Sequence, residues 1–201
     1  MNQTQTAAAV ESRFAVSAPL EIRASEDGAG VAVAGYAAIF NERADIGGYF
    51  QEMIAPGAFD GRLGDDCVFL VNHEGLPLAR TTSGTLKLTV DARGLHVETV
   101  LDPSDPDAAA VIAKMRRGDM DKMSFSFRVE KETWDESGDM PLRTIERIAE
   151  LRDVALVTRP AYAGTEIALR SLEAARASAE GSEAQTARLR RMRMQLALQE
   201  G

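Results

Sequence analysis

Lys122–Val129 reads KMSFSFRV, and apolar residues alternate with polar ones along its whole length. The apolar side chains of such a stretch point to one face and the polar ones to the other, which is the period of a strand with one face in a core. The polar face presents two hydroxyl groups, on Ser124 and Ser126, and their bulky apolar neighbours would hold them in fixed orientations. The stretch therefore predicts a half-buried strand with a candidate nucleophile, and ordinary solvent-facing serines are the alternative.

The composition of the chain sets its class. Its 201 residues, 45% of them hydrophobic, suit one folded domain with a real core plus an extension. A net charge of −8 argues against a nucleic-acid-binding surface as the main function. The single cysteine, Cys67, excludes an internal disulfide, suits a reducing compartment and is expected to be a buried, inert thiol.

The same inventory constrains targeting and metal sites. No stretch is apolar over the length that spans a bilayer, and the first residues lack the basic region of a secretory signal, so we expect a cytoplasmic protein with no membrane contact. Two histidines, His73 and His96, rule out most His-rich metal sites, and we expect neither a metal nor a cofactor. His96 lies inside a predicted strand and is interpreted as structural.

Short strands separated by turn residues fill much of the chain. About nine strands and one clear internal helix predict an α+β fold, namely a β-rich, mostly antiparallel barrel or sandwich with a few flanking helices. The first two strands are expected to form a hairpin. The predicted strands cover residues 13–23, 31–40, 67–71, 76–80, 86–90, 95–101, 122–129, 142–148 and 151–158.

Two helices are predicted inside the folded domain. A short one covers residues 56–63, because a proline suits a first helical turn. The clear one covers residues 106–117, with Ser104 or Asp105 as its N-cap and Gly118 as its end.

The composition also divides the chain into three parts. Residues 1–12 are polar and alanine-rich and are expected to be disordered. Residues 13–170 form the folded domain. Residues 171–201, rich in Ala, Glu and Arg, are expected to be a helical tail that is solvated or binds a partner, with a nucleic-acid role as the weaker alternative.

Three side chains on predicted strands suggest a catalytic constellation. His73 ends a buried strand beside a glycine, Ser124 lies on the alternating strand, and Asp153 lies in the last strand. A serine hydroxyl is too weak an acid to attack an amide unaided, so His73 would take its proton and Asp153 would orient and stabilise the imidazolium. The order His, Ser, Asp is no objection, because such triads are defined by geometry. A chance occurrence of three common residue types is the alternative.

Five segments, in order along the chain, carry a resemblance to a known family: Gly35–Asn41, Ile54–Phe59, Val71–Glu74, Met123–Phe127 and Leu151–Tyr162. Together they resemble the prohead (capsid maturation) proteases of tailed phages of the HK97 type. The resemblance covers about residues 13–170, and the family is more distantly similar to the herpesvirus assembly proteases. Those carry a similar Asn-His pair, and a His-Val-Ala-Leu segment where this chain has residues 153–156.

The resemblance implies a serine endopeptidase with a herpesvirus-protease-like fold. It makes His73 the general base and Ser124 the nucleophile, since the family commonly has glycine where this chain has Ser126. Asp153 falls where the phage family usually has Glu and the herpesvirus family has His, so Glu146 and Glu150 stay open as third members. Backbone N–H groups would hold the oxyanion, with Arg159 as a possible helper.

The activity implied by the resemblance is limited proteolysis inside an assembling procapsid. The enzyme would remove the scaffolding segment of the major capsid protein, or a separate scaffold, and then cleave itself. The tail, residues 171–201, would be self-cleavable or would dock scaffold, and a homodimer is plausible. The particle would be a virus, a prophage or a gene-transfer particle. The alternative is a non-enzymatic capsid-assembly scaffold; an esterase is disfavoured because Ser124 lacks the Gly-x-Ser-x-Gly turn.

Overall fold

The computed structural model describes residues 9–14, 20–25, 28–158, 168–178 and 180. The chain divides into two compact units, Met1–Thr165 and Glu166–Gly201. In the described part, the first unit holds eleven strands and one helix, and residues 168–178 of the second unit are helical. No helix among these residues has the length and apolarity that crossing a membrane requires.

The strands and the helix follow one another with short connections. The elements are β1 (Val10–Phe14), β2 (Glu21–Ala24), β3 (Val31–Ile39), β4 (Ala44–Ile46), β5 (Phe50–Ile54), β6 (Val68–Val71), β7 (Glu74–Arg80), β8 (Leu86–Val90), β9 (Gly94–Leu101), α1 (Pro106–Arg117), β10 (Lys122–Asp135) and β11 (Leu142–Val157).

The seven-stranded sheet is organised around β11. Along one edge β11 pairs with β10 in antiparallel fashion. Its other edge is shared, since β5 runs parallel to its first half and β6 runs parallel to its second half. β1 pairs with β10, β4 with β5 and β7 with β6, all antiparallel. The sheet is therefore mixed, and β10, β11 and β6 lie side by side.

The second sheet has four antiparallel strands in the order β2-β3-β9-β8. β2 and β3 form the hairpin expected for the first two strands. The predicted single strand over residues 13–23 is wrong, because β1 and β2 belong to different sheets. β1 also begins at Val10, inside the segment for which the composition predicts disorder, and its pairing with β10 orders it.

The fold is α+β and rich in strands, as predicted, but neither sheet closes on itself in the part of the chain described here. The expected barrel is thus not confirmed; the described strands form two sheets around one main core. Phe125 and Phe127 lie in that core with their rings stacked and the ring centroids 4.7 Å apart. The Phe59 ring packs against Phe125 with a centroid distance of 5.5 Å. The apolar face of the alternating strand is buried, as its pattern indicates.

Two predicted elements merge into one strand. Residues 142–148 and 151–158 were expected to be separate strands, whereas Leu142–Val157 is continuous, and its partner β10 extends through Asp135. Register shifts between Ser126 and Glu132 mark bulges in this pair. Each bulge adds a residue on one strand and breaks the alternation by which a strand is recognised in a sequence.

The two predicted helices have opposite outcomes. α1 is confirmed: the Asp105 side chain accepts a hydrogen bond from the Asp107 backbone N–H, and Gly118 ends the helix with φ of 79°. The helix over residues 56–63 is wrong, because consecutive turns occupy this segment. Gly57 and Gly61 have φ of 86° and 75°, which a right-handed helix cannot contain.

Candidate active site

The turn that carries His73 joins β6 to β7. Val71 pairs with Glu74 across it, so that the loop has only two residues. Asn72 and His73 both have positive φ, 51° and 63°, as a type I′ hairpin turn requires. The left-handed conformation is unfavourable for a histidine, and backbone conformations of this kind cluster at functional sites.

The side chain of Asn72 fastens this turn to the end of β11. Its Oδ1 accepts a hydrogen bond from the Thr158 backbone N–H at 3.0 Å, and the Thr158 hydroxyl lies 3.3 Å away. The Asn72 backbone N–H donates to the Leu156 carbonyl oxygen at 2.8 Å. The His73 turn and the strand that carries Asp153 are therefore held together by three contacts.

Ser124 and Asp153 share one face of the seven-stranded sheet. Ser124 pairs with Ala155, and Ser126 pairs with Asp153 across β10 and β11. Directly paired residues point to the same side of a sheet, so the two serines and the carboxylate lie on the face opposite Phe125. β6 runs along the other edge of β11 and brings the His73 turn to this face.

The structure brings the three sequence-predicted residues into one chain of contacts. His73 Nδ1 lies 2.5 Å from Asp153 Oδ1, and His73 Nε2 lies 2.8 Å from Ser124 Oγ. A carboxylate accepts a proton, so Nδ1 is the donor and Nε2 faces the hydroxyl as an acceptor. The His73 and Asp153 side chains are 21% and 12% exposed, whereas Ser124 is 2% exposed. This is the geometry of a nucleophile, a base and an orienting group.

Two comparisons with known proteins identify the family of the chain. The model of the caudovirus prohead serine protease family matches residues 18–178. The chain belongs to that family. The prohead protease of Enterobacteria phage HK97 is 32% identical over 147 residues, which are 70% of this chain and 60% of that protein. This chain thus spans less than two thirds of that relative's length.

The predicted family is therefore confirmed. No solved structure matches the chain, and the likeness to herpesvirus assembly proteases stays a prediction. Within the described residues of this family member, no cluster of three or more His, Cys, Asp and Glu side chains could hold a metal ion.

The other candidate residues have different partners. Ser126 Oγ accepts a hydrogen bond from Ser12 Oγ at 3.3 Å. Glu150 accepts one from Arg128 Nε at 2.9 Å, so this alternative third member is engaged on a different part of the sheet. His96 stacks edge-on against the Tyr36 ring with the ring centroids 4.9 Å apart.

The remaining candidates are Glu146 and Arg159. Glu146 forms an ion pair with Lys131 at 2.5 Å and accepts a hydrogen bond from Thr133. Arg159, the candidate helper for the oxyanion, lies outside the described residues. The contact with His73 is therefore made by Asp153, the residue whose type departs from the pattern usual in the family.

Sequence reasoning missed a second partner of Ser124. The Ser124 hydroxyl donates to the backbone carbonyl oxygen of Arg13, on β1, at 2.7 Å. The same hydroxyl faces His73 Nε2, so its single proton has two possible acceptors. Because the partner is a main-chain atom 111 positions away in the sequence, no side-chain pattern could have indicated the contact.

A cluster of buried charges lies on the face of β1 opposite Ser12, the same side of the sheet as Phe125 and Phe127. Arg13 contacts Glu52 through Nε at 2.5 Å and through Nη2 at 2.9 Å. Arg143 contacts both Glu11, at 2.6 and 2.9 Å, and Glu52, at 2.8 Å. It also donates two hydrogen bonds to Glu132. Four strands, β1, β5, β10 and β11, are thus joined by ion pairs inside the protein.

These carboxylates keep Arg143 charged despite its burial. Desolvation lowers the pKa of the Arg143 guanidinium, but the hydrogen bond to Glu11 and the charges of Glu52 and Glu132 outweigh it, and the net shift of the pKa is upward. A buried arginine left with no carboxylate partner would be costly, and Arg143 has three such partners, on β1, β5 and β10.

Proposed function

We propose that this chain is a serine endopeptidase of capsid maturation, in which Ser124 is the nucleophile, His73 the general base and Asp153 the orienting carboxylate. The observation that carries the proposal is the continuous contact from Asp153 through His73 to Ser124, at 2.5 and 2.8 Å. Membership of the prohead serine protease family and the likeness to the HK97 prohead protease support the same activity.

The reaction follows from these positions. Ser124 Oγ attacks the carbonyl carbon of the scissile peptide bond while His73 Nε2 takes the hydroxyl proton. Asp153 holds the Nδ1 proton and stabilises the imidazolium that forms. The tetrahedral intermediate expels the amine, which receives the proton from Nε2, and an acyl-enzyme remains on Ser124. A water molecule, deprotonated by His73, then hydrolyses the ester and releases Ser124.

The partners follow from the proposed protease function. The substrate is the pro-segment of the major capsid protein or a separate scaffold protein, cleaved inside the assembling procapsid in the cytoplasm. The chain also cleaves itself, and residues 171–201 serve as a self-cleavable or scaffold-docking tail. A homodimer is compatible with this role. The competing function is a non-enzymatic assembly scaffold, in which Ser124 has no chemical task.

Co-expression with the major capsid protein of the same particle tests the proposal. The masses of both proteins are compared for the wild type, for Ser124→Ala and for the matched control Ser126→Ala. We expect trimming of the capsid protein by the wild type and by Ser126→Ala, and none by Ser124→Ala. Trimming that stops in Ser126→Ala and continues in Ser124→Ala would identify Ser126 as the nucleophile. Shells that assemble without any trimming by the wild type would favour the scaffold function.

A further inference from the structure

We propose that β1 is a built-in blocking strand: it occupies the edge of β10 at which an extended peptide substrate binds, and the enzyme cleaves only when β1 leaves. This inference rests on the proposed protease function, since it presumes that Ser124 is the nucleophile. It identifies the substrate as a peptide that adds to the sheet as a strand, and β1 as the competitor for the same edge.

The edge is defined by the strand pairing. β11 holds one edge of β10 throughout the catalytic region. β1 holds the other, from Phe14 opposite Ser124 to Val10 opposite Arg128. Extended peptides bind proteins by adding a strand to such an edge, where main-chain hydrogen bonds supply the affinity. Since a strand has two edges, a peptide beside Ser124 needs the place that β1 holds.

A substrate strand on the outer edge of β1 would be too far from Ser124 to react. Neighbouring strands lie about 4.8 Å apart, so a peptide on the outer edge of β1 would be about 10 Å from β10. A nucleophile must approach its carbonyl carbon to about 3–3.5 Å. Together with the 2% exposure of Ser124, this spacing means that β1 must leave before a substrate reaches the hydroxyl.

The contact made by β1 blocks the nucleophile and does not present a bond for cleavage. In an attack, Oγ approaches the carbonyl carbon, and the carbonyl oxygen points to separate donors. Here the oxygen of Arg13 is itself the partner of Ser124 Oγ, at 2.7 Å. The hydroxyl proton is therefore drawn towards Arg13 and away from His73 Nε2, its acceptor in catalysis.

The charges that hold β1 suit a strand that can be exchanged. β1 brings one negative and one positive side chain, Glu11 and Arg13, whose charges sum to zero. The groups that remain when it leaves, Arg143, Glu52 and Glu132, contact one another directly through Arg143. The departure of β1 therefore leaves Arg143 paired and adds no net charge to the cluster.

The same groups define what a replacing peptide offers. Glu11 and Arg13 lie two positions apart on one face of β1. Glu11 forms an ion pair with Arg143, and Arg13 forms one with Glu52. A substrate strand on this edge would make the same ion pairs with an acidic residue two positions before a basic one, and unlike β1 it would turn the scissile carbonyl carbon, not the oxygen, towards Ser124 Oγ. We infer this acid-x-base spacing as the recognition pattern of the site.

A reversible lock tests the inference in the full chain. Ser12 and Ser126 are paired directly across β1 and β10, with their hydroxyl oxygens 3.3 Å apart, so cysteines there can form a disulfide. The variant Ser12→Cys/Ser126→Cys is reacted with a fluorophosphonate, and the labelling rate of Ser124 is measured by mass in oxidised and reduced protein. The single variant Ser126→Cys is the control.

We expect oxidation to slow the labelling of Ser124 at least tenfold and reduction to restore it, with no redox effect in the control. Equal rates in the two states would overturn the inference while leaving the protease function in place. Hydrogen exchange of the reduced protein shows whether residues 10–14 leave the sheet. If they do and Ser124 is still not labelled in either state, both the proposed function and the inference are overturned.

A charge reversal provides the second variant. Arg13→Glu keeps the backbone carbonyl but places a negative charge against Glu52, so β1 should leave more often and Ser124 should be labelled several-fold faster. Arg23→Glu on β2, an exposed position of the second sheet, makes the same charge change and should leave the rate unchanged. Slower labelling of folded Arg13→Glu would contradict the inference.

Discussion

Asp153 decides which nitrogen of His73 carries the proton, because its Oδ1 lies 2.5 Å from Nδ1. An amide at this position can donate its own N–H to Nδ1, which would move the imidazole proton to Nε2 and remove the acceptor that faces Ser124. We therefore expect Asp153→Asn to lower the cleavage rate by about four orders of magnitude. Asp153→Glu keeps an accepting carboxylate, the group usual in the family, and should retain most activity.

The measurement is the rate of capsid-protein trimming, with thermal unfolding recorded for both variants. Equal unfolding temperatures for Asp153→Asn and Asp153→Glu would show that the difference in rate reflects chemistry and not folding. An Asp153→Asn variant as active as the wild type would remove Asp153 from the triad. In that case Glu150 and Glu146 would return as candidates.

The buried thiol of Cys67 makes the stability of the folded state depend on pH. Burial raises the pKa of its thiol to about 12, and the negative charge of Asp153 adds to the shift. The unfolded thiol titrates near about 8.5, so the stability contributed by this group is complete below that pH and is lost as pH rises towards the folded pKa. From about pH 8 to about pH 10 the free energy of unfolding of the wild type should fall about 2 kcal/mol more than that of Cys67→Ala.

Urea unfolding at several pH values measures this difference. The comparison with Cys67→Ala cancels the titration of tyrosines and lysines, which both proteins share. Parallel dependences on pH in the two proteins would mean that Cys67 is not protected from ionisation in the folded state.

The turn between β6 and β7 shows how an element positions a catalytic group. Asn72→Gly keeps the positive φ of the turn but removes the two side-chain contacts to Thr158, so His73 loses part of its anchor on β11. A displacement of about 1 Å at a reacting group lowers rates about 100-fold, and we expect a loss of about 10- to 100-fold in kcat with little change in KM. Asn72→Ala should lose about 1 kcal/mol more of stability, because alanine disfavours positive φ.

Thr158→Ala is the matched control for this turn. It removes one hydroxyl contact and keeps the backbone N–H that donates to Asn72, so its effect on kcat should be small. If Asn72→Gly left kcat unchanged, Asn72 would have no positioning role and the turn would hold His73 by its backbone alone.

Local patterns were sufficient where an element depends on its own residues. The alternation at Lys122–Val129 and an N-cap of α1 at Ser104 or Asp105 were predicted because strand periodicity and capping are local. The continuity of β11 was not, because its bulges break the period of two. Gly57 follows Pro56 in a segment that suits a helical first turn, and only its φ of 86° reveals a turn.

The candidate site follows the same rule. The sequence indicated His73, Ser124 and Asp153 by residue type and by the family resemblance, and these three lie in contact. It gave no sign of the carbonyl of Arg13, because main-chain atoms are the same at every position. Strand order joins β1 to β10 across more than a hundred residues, and such long-range pairing carries little local signal.

At the scale of the whole molecule, the buried charges connect stability with access to the active site. Arg143 on β11 binds Glu11 of β1 and Glu52 of β5, and these side chains are almost fully buried. Arg143→Met would leave Arg13 as the cation between these two carboxylates. Losing one member of a buried ion cluster costs about 3–5 kcal/mol, so we expect a clear drop in the free energy of unfolding.

The same variant should also free β1, because Glu11 would lose its partner on β11. We therefore expect Arg143→Met, measured below its unfolding midpoint, to label Ser124 with fluorophosphonate faster than the wild type while being less stable. Adding Glu11→Gln removes one uncompensated negative charge, so the double variant should recover part of the stability without restoring the ion pair that holds β1. Labelling that slows in proportion to the lost stability would mean that the cluster supports the catalytic face and does not control access to Ser124.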